Sequence, residues 1–212
     1  MADDLVPPAA KININKRILE AGTPLYRIHR EKYAGDAFNA SRQGDARFSP
    51  IVNEESRVIA TAYAGDSTKV AFCEVPLHDV DFSQVKVEFA TARLAGLVHT
   101  ELVVNKALEL AELDQPGLAK MRASKKVTHC DAAQYGVTRQ WAEAIHKQYK
   151  EVQGLVWPSK QHPGNAYVFF GDRLSENALS IVGETLPVTD RKVVIHLLQL
   201  ADQMGITLLE ED

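Results

Sequence analysis

The chain has 212 residues, 45% hydrophobic and 25% charged, which is enough to bury one substantial core and too balanced in composition to stay disordered. Its formal net charge of −4 argues against a nucleic-acid partner, and no apolar run approaches the roughly 20 residues that a membrane-spanning helix requires. Two cysteines, Cys73 and Cys130, without CxxC or Cys/His spacing, argue against a disulfide framework and fit a reducing compartment.

The chain opens with MADDLVPPAAK, acids and prolines where an export signal needs basic and then apolar residues, so a cytoplasmic protein is expected. Pro7 and Pro8 donate no backbone hydrogen bonds, and residues 1–10 read as a flexible arm. KININKRILEAG alternates at first and ends in a possible helical turn stopped at Gly22. LYRIH (25–29) reads as a strand, with Leu25, Arg27 and His29 on one face and Tyr26 and Ile28 on the other. Residues 32–44 are small and polar and read as a mobile surface loop.

RVIATAY (57–63) is a buried strand by its β-branched, apolar run, and AGDS then turns the chain so that Ser67 caps a helix carrying Val70, Ala71, Phe72 and Glu74. Arg47 precedes that strand, Tyr63 ends it, and Glu74 follows about two helical turns later. A cation, an aromatic ring and a carboxylate can thus be aimed at one cleft.

Residues 84–98 suit one long strand or two shorter ones, and VVNKALELAEL fits strand or helix equally. DQPGLAKMRA reads as a helix with Asp114 as its cap and Pro116 in its first turn. The strongest helix carries Val137, Trp141, Ile145 and Tyr149 at four-residue steps and is expected to end at Gly154. GLVWPS, AYVFF and ALSIVGET supply three more strands, and TDRKVVIHLLQLADQMG a second amphipathic helix. No linker divides the chain, so one domain over 1–212 is expected, of mixed α+β architecture. Neither GxGxxG after a strand nor GxxxxGK[ST] occurs.

Arg27, Arg47, Tyr63, Glu74 and Ser159 stand out as chemistry-bearing side chains, and His29 shares a strand face with Arg27. Each has an ordinary alternative: a surface ion pair, a core aromatic, a solvated helix residue, a turn former. Cys73 adjoins Glu74 but points away by about 100° and reads as packing. The seven histidines lack HExxH or any paired ligand spacing, so no metal site is expected. KMRASKK (120–126) reads as a solvated face.

The contexts of these residues, YR at Tyr26 and Arg27, ARFSP around Arg47, YAGDSTKVAFCE from Tyr63 to Glu74, and WPSKQHPGNAYVFF around Ser159, resemble the RES family. That family is named for its arginine, glutamate and serine, and its members look like relatives of the ADP-ribosyltransferase toxins. The resemblance covers roughly 25–173. It departs at PIVNEESRV, where the family segment is shorter and glycine-rich, and at the extra length of 99–135.

The resemblance implies an ADP-ribosyltransferase-like fold with a split mixed β-sheet core flanked by helices. It implies NAD⁺ as substrate rather than cofactor, and cleavage of its nicotinamide–ribose bond by a glycohydrolase or phosphorylase. It also implies the toxin role in a toxin–antitoxin pair with a helix-turn-helix (Xre-type) antitoxin, and a homo-oligomer is possible. On that reading Glu74 stabilises charge at the ribose, Arg47 and Arg27 bind the pyrophosphate, and Tyr63 stacks on nicotinamide or ribose. Ser159 fixes the ribose or carboxamide, and His29 lines the pocket. Transfer of ADP-ribose to a macromolecule and a non-catalytic binding module are the rival expectations.

Overall fold

The computed structural model describes residues 5–210. Alternating apolar residues give β1 (Asn15–Leu19) and β2 (Pro24–Arg30), and two short pieces, β3 (Ile51–Val52) and β4 (Val58–Ile59), lead into β5 (Thr61–Gly65). Ser67 then caps α1 (Thr68–Glu74), its side chain accepting the Val70 N–H at 3.3 Å. The next run carries β6 (Val87–Ala90), a 3₁₀ turn, β7 (Leu97–Val104) and β8 (Leu108–Glu112). Asp114 caps α2 (Gln115–Met121) by accepting the Gly117 N–H at 2.8 Å, and α3 (Lys126–His129) and α4 (Tyr135–Gln148) follow. The chain closes through β9 (Gly154–Pro158), β10 (Asn165–Phe170), β11 (Leu179–Pro187), α5 (Arg191–Met204) and β12 (Ile206–Leu209).

Eight strands form one mixed sheet in the order β1-β8-β9-β10-β5-β2-β7-β11, with β8 and β9 parallel and the other neighbours antiparallel. Its pairing is uneven. β2 pairs with β7 from Pro24 to Arg30, but meets β5 only at Tyr26 and Gly65. The sheet is therefore split between β5 and β2. The five-strand half packs on α4 and α2 through Trp141, Ile145, Leu118, Trp157 and Phe170. The three-strand half packs on α1 and α5 through Ile28, Phe72, Leu97 and Leu197.

Several expectations are corrected. KRIL is strand throughout, because Lys16 to Leu19 pair in register with β8. From Leu5 onward the expected arm is partly anchored: Leu5 packs on the core, and the Trp141 indole donates to the Val6 carbonyl at 2.9 Å. Residues 1–4 of that arm lie outside the described residues. Gly154 does not end α4, which stops at Gln148; it begins β9, where a Cβ would meet the Val168 carbonyl at 2.3 Å.

The loop at 32–44 is tied down at two points. Asn39 exchanges backbone bonds with Thr61 at 2.8 and 3.0 Å, and the Arg27 guanidinium takes the carbonyls of Gly35 and Ala37. The undecided run at 103–113 resolves as the end of β7 and the whole of β8 joined by a tight turn, and residues 206–209 form a strand paired in parallel with β6. Both cysteines are buried and unpaired. Among the described residues no helix is long and apolar enough to cross a membrane.

Candidate active site

Glu74 is the last residue of α1, so the helix cap at Ser67 fixes where its carboxylate points. Ser159 follows β9 and is buried, with its N–H bonded to the Gly164 carbonyl at 2.9 Å. Its hydroxyl donates to Glu74 Oε1 at 2.7 Å. One carboxylate oxygen is thus held by a rigid neighbour, and the other has no protein donor at hydrogen-bonding distance among the described residues.

Tyr63 is the central residue of β5, which runs on to Gly65, and so does not end its strand as expected; its ring is edge-on to Trp157, centroids 6.1 Å apart, and its oxygen accepts the Phe48 N–H at 3.0 Å. Burial pushes the phenol up to about 12, against the pull of hydrogen bonds from Ser49 and Phe48 and the Arg47 charge. It stays protonated at neutral pH. Its hydroxyl pins the 47–49 turn, so stacking on a substrate is left to whatever part of the ring faces the cavity.

Arg47 is 5% exposed and makes no ion pair among the described residues. Its Nη1 donates to the Cys130 carbonyl at 3.1 Å and contacts the sulfur at 3.3 Å, while the guanidinium lies 5.1 Å from the Tyr135 ring centre. A buried cation without a carboxylate is costly, and an incoming anion offsets that cost. Arg27 gives Nη1 to the carbonyls of Gly35 and Ala37 at 2.9 and 2.7 Å, and burial draws it down to about 10. It remains charged at neutral pH.

His29 stands in the cavity wall, with both ring nitrogens engaged by the protein. A carbonyl only accepts, so Nδ1, 3.0 Å from the Arg30 oxygen, carries the hydrogen, and Nε2 accepts from the Thr100 hydroxyl at 2.8 Å. Burial lowers its pKa, so the ring stays neutral and serves as wall rather than donor.

Arg27, His29, Arg47, Tyr63 and Glu74 all line one cavity of about 350 Å³. Arg27 and His29 come from one face of β2, while Ile28, which also lines it, comes from the other. The cavity therefore occupies the gap left where β2 and β5 stop pairing. Ser159 is not among the residues that line this cavity; it joins the site through its hydrogen bond to Glu74.

The RES domain family model matches residues 24–190, most of the chain. This chain belongs to the RES family. The match runs beyond the residues that carry the sequence resemblance, through β11 to the cap of α5. A chain of the crystal structure of the M. tuberculosis MbcT–MbcA toxin–antitoxin complex superposes with a TM-score of 0.65 at 15% identity, covering 87% of this RES chain and 92% of that one. That likeness shows a shared α+β fold, consistent with an ADP-ribosyltransferase-like one. No curated protein matches the chain in sequence.

This RES chain also brings in residues that sequence reasoning passed over. His78 lines the cavity and hydrogen-bonds the Tyr135 hydroxyl, whose ring supports Arg47. His78 lies four residues past Glu74, in the turn that follows α1, and that closeness in sequence could have flagged it. Tyr135 gave no such signal, because it precedes the apolar stripe of α4 and meets Arg47 only through the fold. Among the described residues no three His, Cys, Asp or Glu side chains are placed to hold a metal ion.

Proposed function

We propose that the seam cavity binds NAD⁺ and that the protein cleaves the nicotinamide–ribose bond, acting as the toxin of a toxin–antitoxin pair. The observation that carries this reading is the convergence of Arg47, Tyr63 and Glu74 on one cavity, with the carboxylate held by Ser159. Breaking that bond leaves positive charge on the ribose, as in glycoside hydrolysis. The free oxygen of Glu74 stabilises that charge or accepts a ribose hydroxyl, and its fixed partner keeps it from reorganising as the charge develops.

Arg47 and Arg27 are guanidinium groups without carboxylate partners, matched to a pyrophosphate through charge-assisted bonds. Their charges oppose those of the phosphates and do not retain the departing nicotinamide, which leaves as a neutral molecule. Tyr63 and Trp157 wall the cavity with aromatic surface, which limits water at the reacting carbon.

The likeness to a toxin–antitoxin complex supports the biological half of the proposal, including an antitoxin partner, for which a helix-turn-helix protein that covers the cleft is the specific expectation. Product analysis tests the chemistry. Purified protein incubated with labelled NAD⁺ is expected to release nicotinamide, yielding ADP-ribose with water or its 1-phosphate when phosphate is present. Label retained on macromolecules would instead identify a transferase. Nicotinamide release at background for both wild type and Glu74→Ala would leave a binding module and end the enzymatic reading.

A further inference from the structure

Two further cavities adjoin the reaction chamber, and their charges differ. One runs past Arg47 and His78 toward Asp79, Asp81 and Asp131. The other, about 660 Å³, shares Arg27 and His29 with the chamber and extends to Arg30, Tyr33 and Arg93. An anionic substrate tail is drawn to the second.

That second lobe holds more positive charge than a two-phosphate linkage uses. Arg27, Arg30 and Arg93 line it together, none of them in an ion pair among the described residues, and no Asp or Glu side chain stands in its wall. In a chain of net charge −4, three such guanidinium groups around one cavity are charge kept available for an anion.

Arg30 engages only Nη1, with the Ala95 carbonyl at 3.0 Å. Arg93 lies over the Phe89 ring at 5.1 Å, a contact that orients the guanidinium plane and leaves its N–H edge free. Both side chains are exposed, and of the three only Arg27 also lines the reaction chamber. Tyr33, 56% exposed, and Phe38 offer aromatic surface to a base in the same lobe.

We propose that this lobe holds the adenosine end of the dinucleotide and that Arg30 and Arg93 take a third phosphate carried on its ribose, making the 2′-phosphorylated dinucleotide, NADP⁺, a substrate at least as good as NAD⁺. The inference rests on the cleavage reading for its kinetics but not for its binding. Arginine is suited to the task because its fork pairs with a phosphate monoester through two parallel hydrogen bonds.

Calorimetry on the full chain with adenosine 2′,5′-bisphosphate and with AMP tests the lobe without turnover. The bisphosphate is expected to bind at least tenfold more tightly. Arg30→Ala and Arg93→Ala, both at exposed positions, should each remove most of that difference while leaving AMP affinity in place. Equal affinity of the two nucleotides, or a preference that survives both substitutions, overturns the proposal. In turnover, kcat/KM for NADP⁺ should equal or exceed that for NAD⁺, and a value below one-tenth of it overturns the substrate assignment with NAD⁺ cleavage intact. A bisphosphate preference lost in both variants, without turnover of either dinucleotide, supports the lobe and counts against the cleavage reading alone.

Discussion

The five-strand half of the sheet and the seam beside it use burial in opposite ways. On the five-strand side Trp157, Val168 and Phe170 are at most 1% exposed and pack against Trp141 and Ile145, apolar against apolar. At the seam, burial is imposed on groups that prefer water: Arg47 at 5% exposure, Ser159 at 6% and His29 at 8%. The first arrangement stabilises the fold. The second holds charge and hydrogen-bonding capacity in fixed positions, at a cost that only a rigid surround can sustain. The contrast implies that stability and activity are separable by mutation.

Phe170→Ala should break the first region with the largest effect. The ring is fully buried and edge-on to His146, and its loss is expected to cost about 3–5 kcal/mol in denaturant unfolding. NAD⁺ turnover by the fraction still folded should be little changed. Glu74→Gln should do the reverse: kcat falls by about 10²–10³, on the order of 3–4 kcal/mol of barrier, while the unfolding midpoint stays put. A Gln variant of near wild-type turnover would remove the carboxylate from the mechanism.

Acidification acts on the three-strand half, through His99. His99, buried on β7 beside Thr68 and Tyr26, is lowered from 6.5 to about 4 by burial, with the charges of His196 and His29 pushing the same way. Folded protein then binds fewer protons than unfolded protein between those values, so the histidine's contribution is complete above 6.5 and lost as pH falls toward 4. Stability should drop over that window by up to about 3 kcal/mol from this residue, and His99→Gln should flatten the slope. An unchanged slope would place the acid sensitivity elsewhere.

Arg47→Met sharpens the contrast further. It removes a buried cation that has no acid partner, so thermal stability should hold or rise slightly while kcat/KM for NAD⁺ falls at least tenfold, about 1.4 kcal/mol. Ser159→Ala is the mildest. It frees Glu74 without removing it, so kcat should fall several-fold, about 1 kcal/mol, with KM nearly unchanged.

Much of the scaffold could be read from the chain because it rests on short-range rules. The caps at Ser67 and Asp114 and the stripe of Trp141 and Ile145 depend on neighbours within a few residues. Misreadings arose where a distant group decided. Lys16 to Leu19 became strand because β8 lies alongside, and the 32–44 loop is held because Arg27 reaches its carbonyls. Gly154 looked like a helix terminator, yet its lack of a side chain serves the close approach of β10.

The site divides in the same way. Residue types along the chain marked Arg47, Tyr63, Glu74 and Ser159 as candidates beside ordinary alternatives, and it was the resemblance of their sequence contexts to the RES family that implied their roles toward a dinucleotide. Which of them face the cavity was settled only by tertiary structure. The single pairing of Tyr26 with Gly65 opens the gap that receives Arg27 from one face of β2 and Ile28 from the other. The fold also makes Ser159 the support of Glu74 and sets Tyr135 against Arg47. A strand pairing between Tyr26 and Gly65, and hydrogen bonds that span 83 and 85 residues, depend on the closure of the whole fold, so no local pattern in the sequence could encode them.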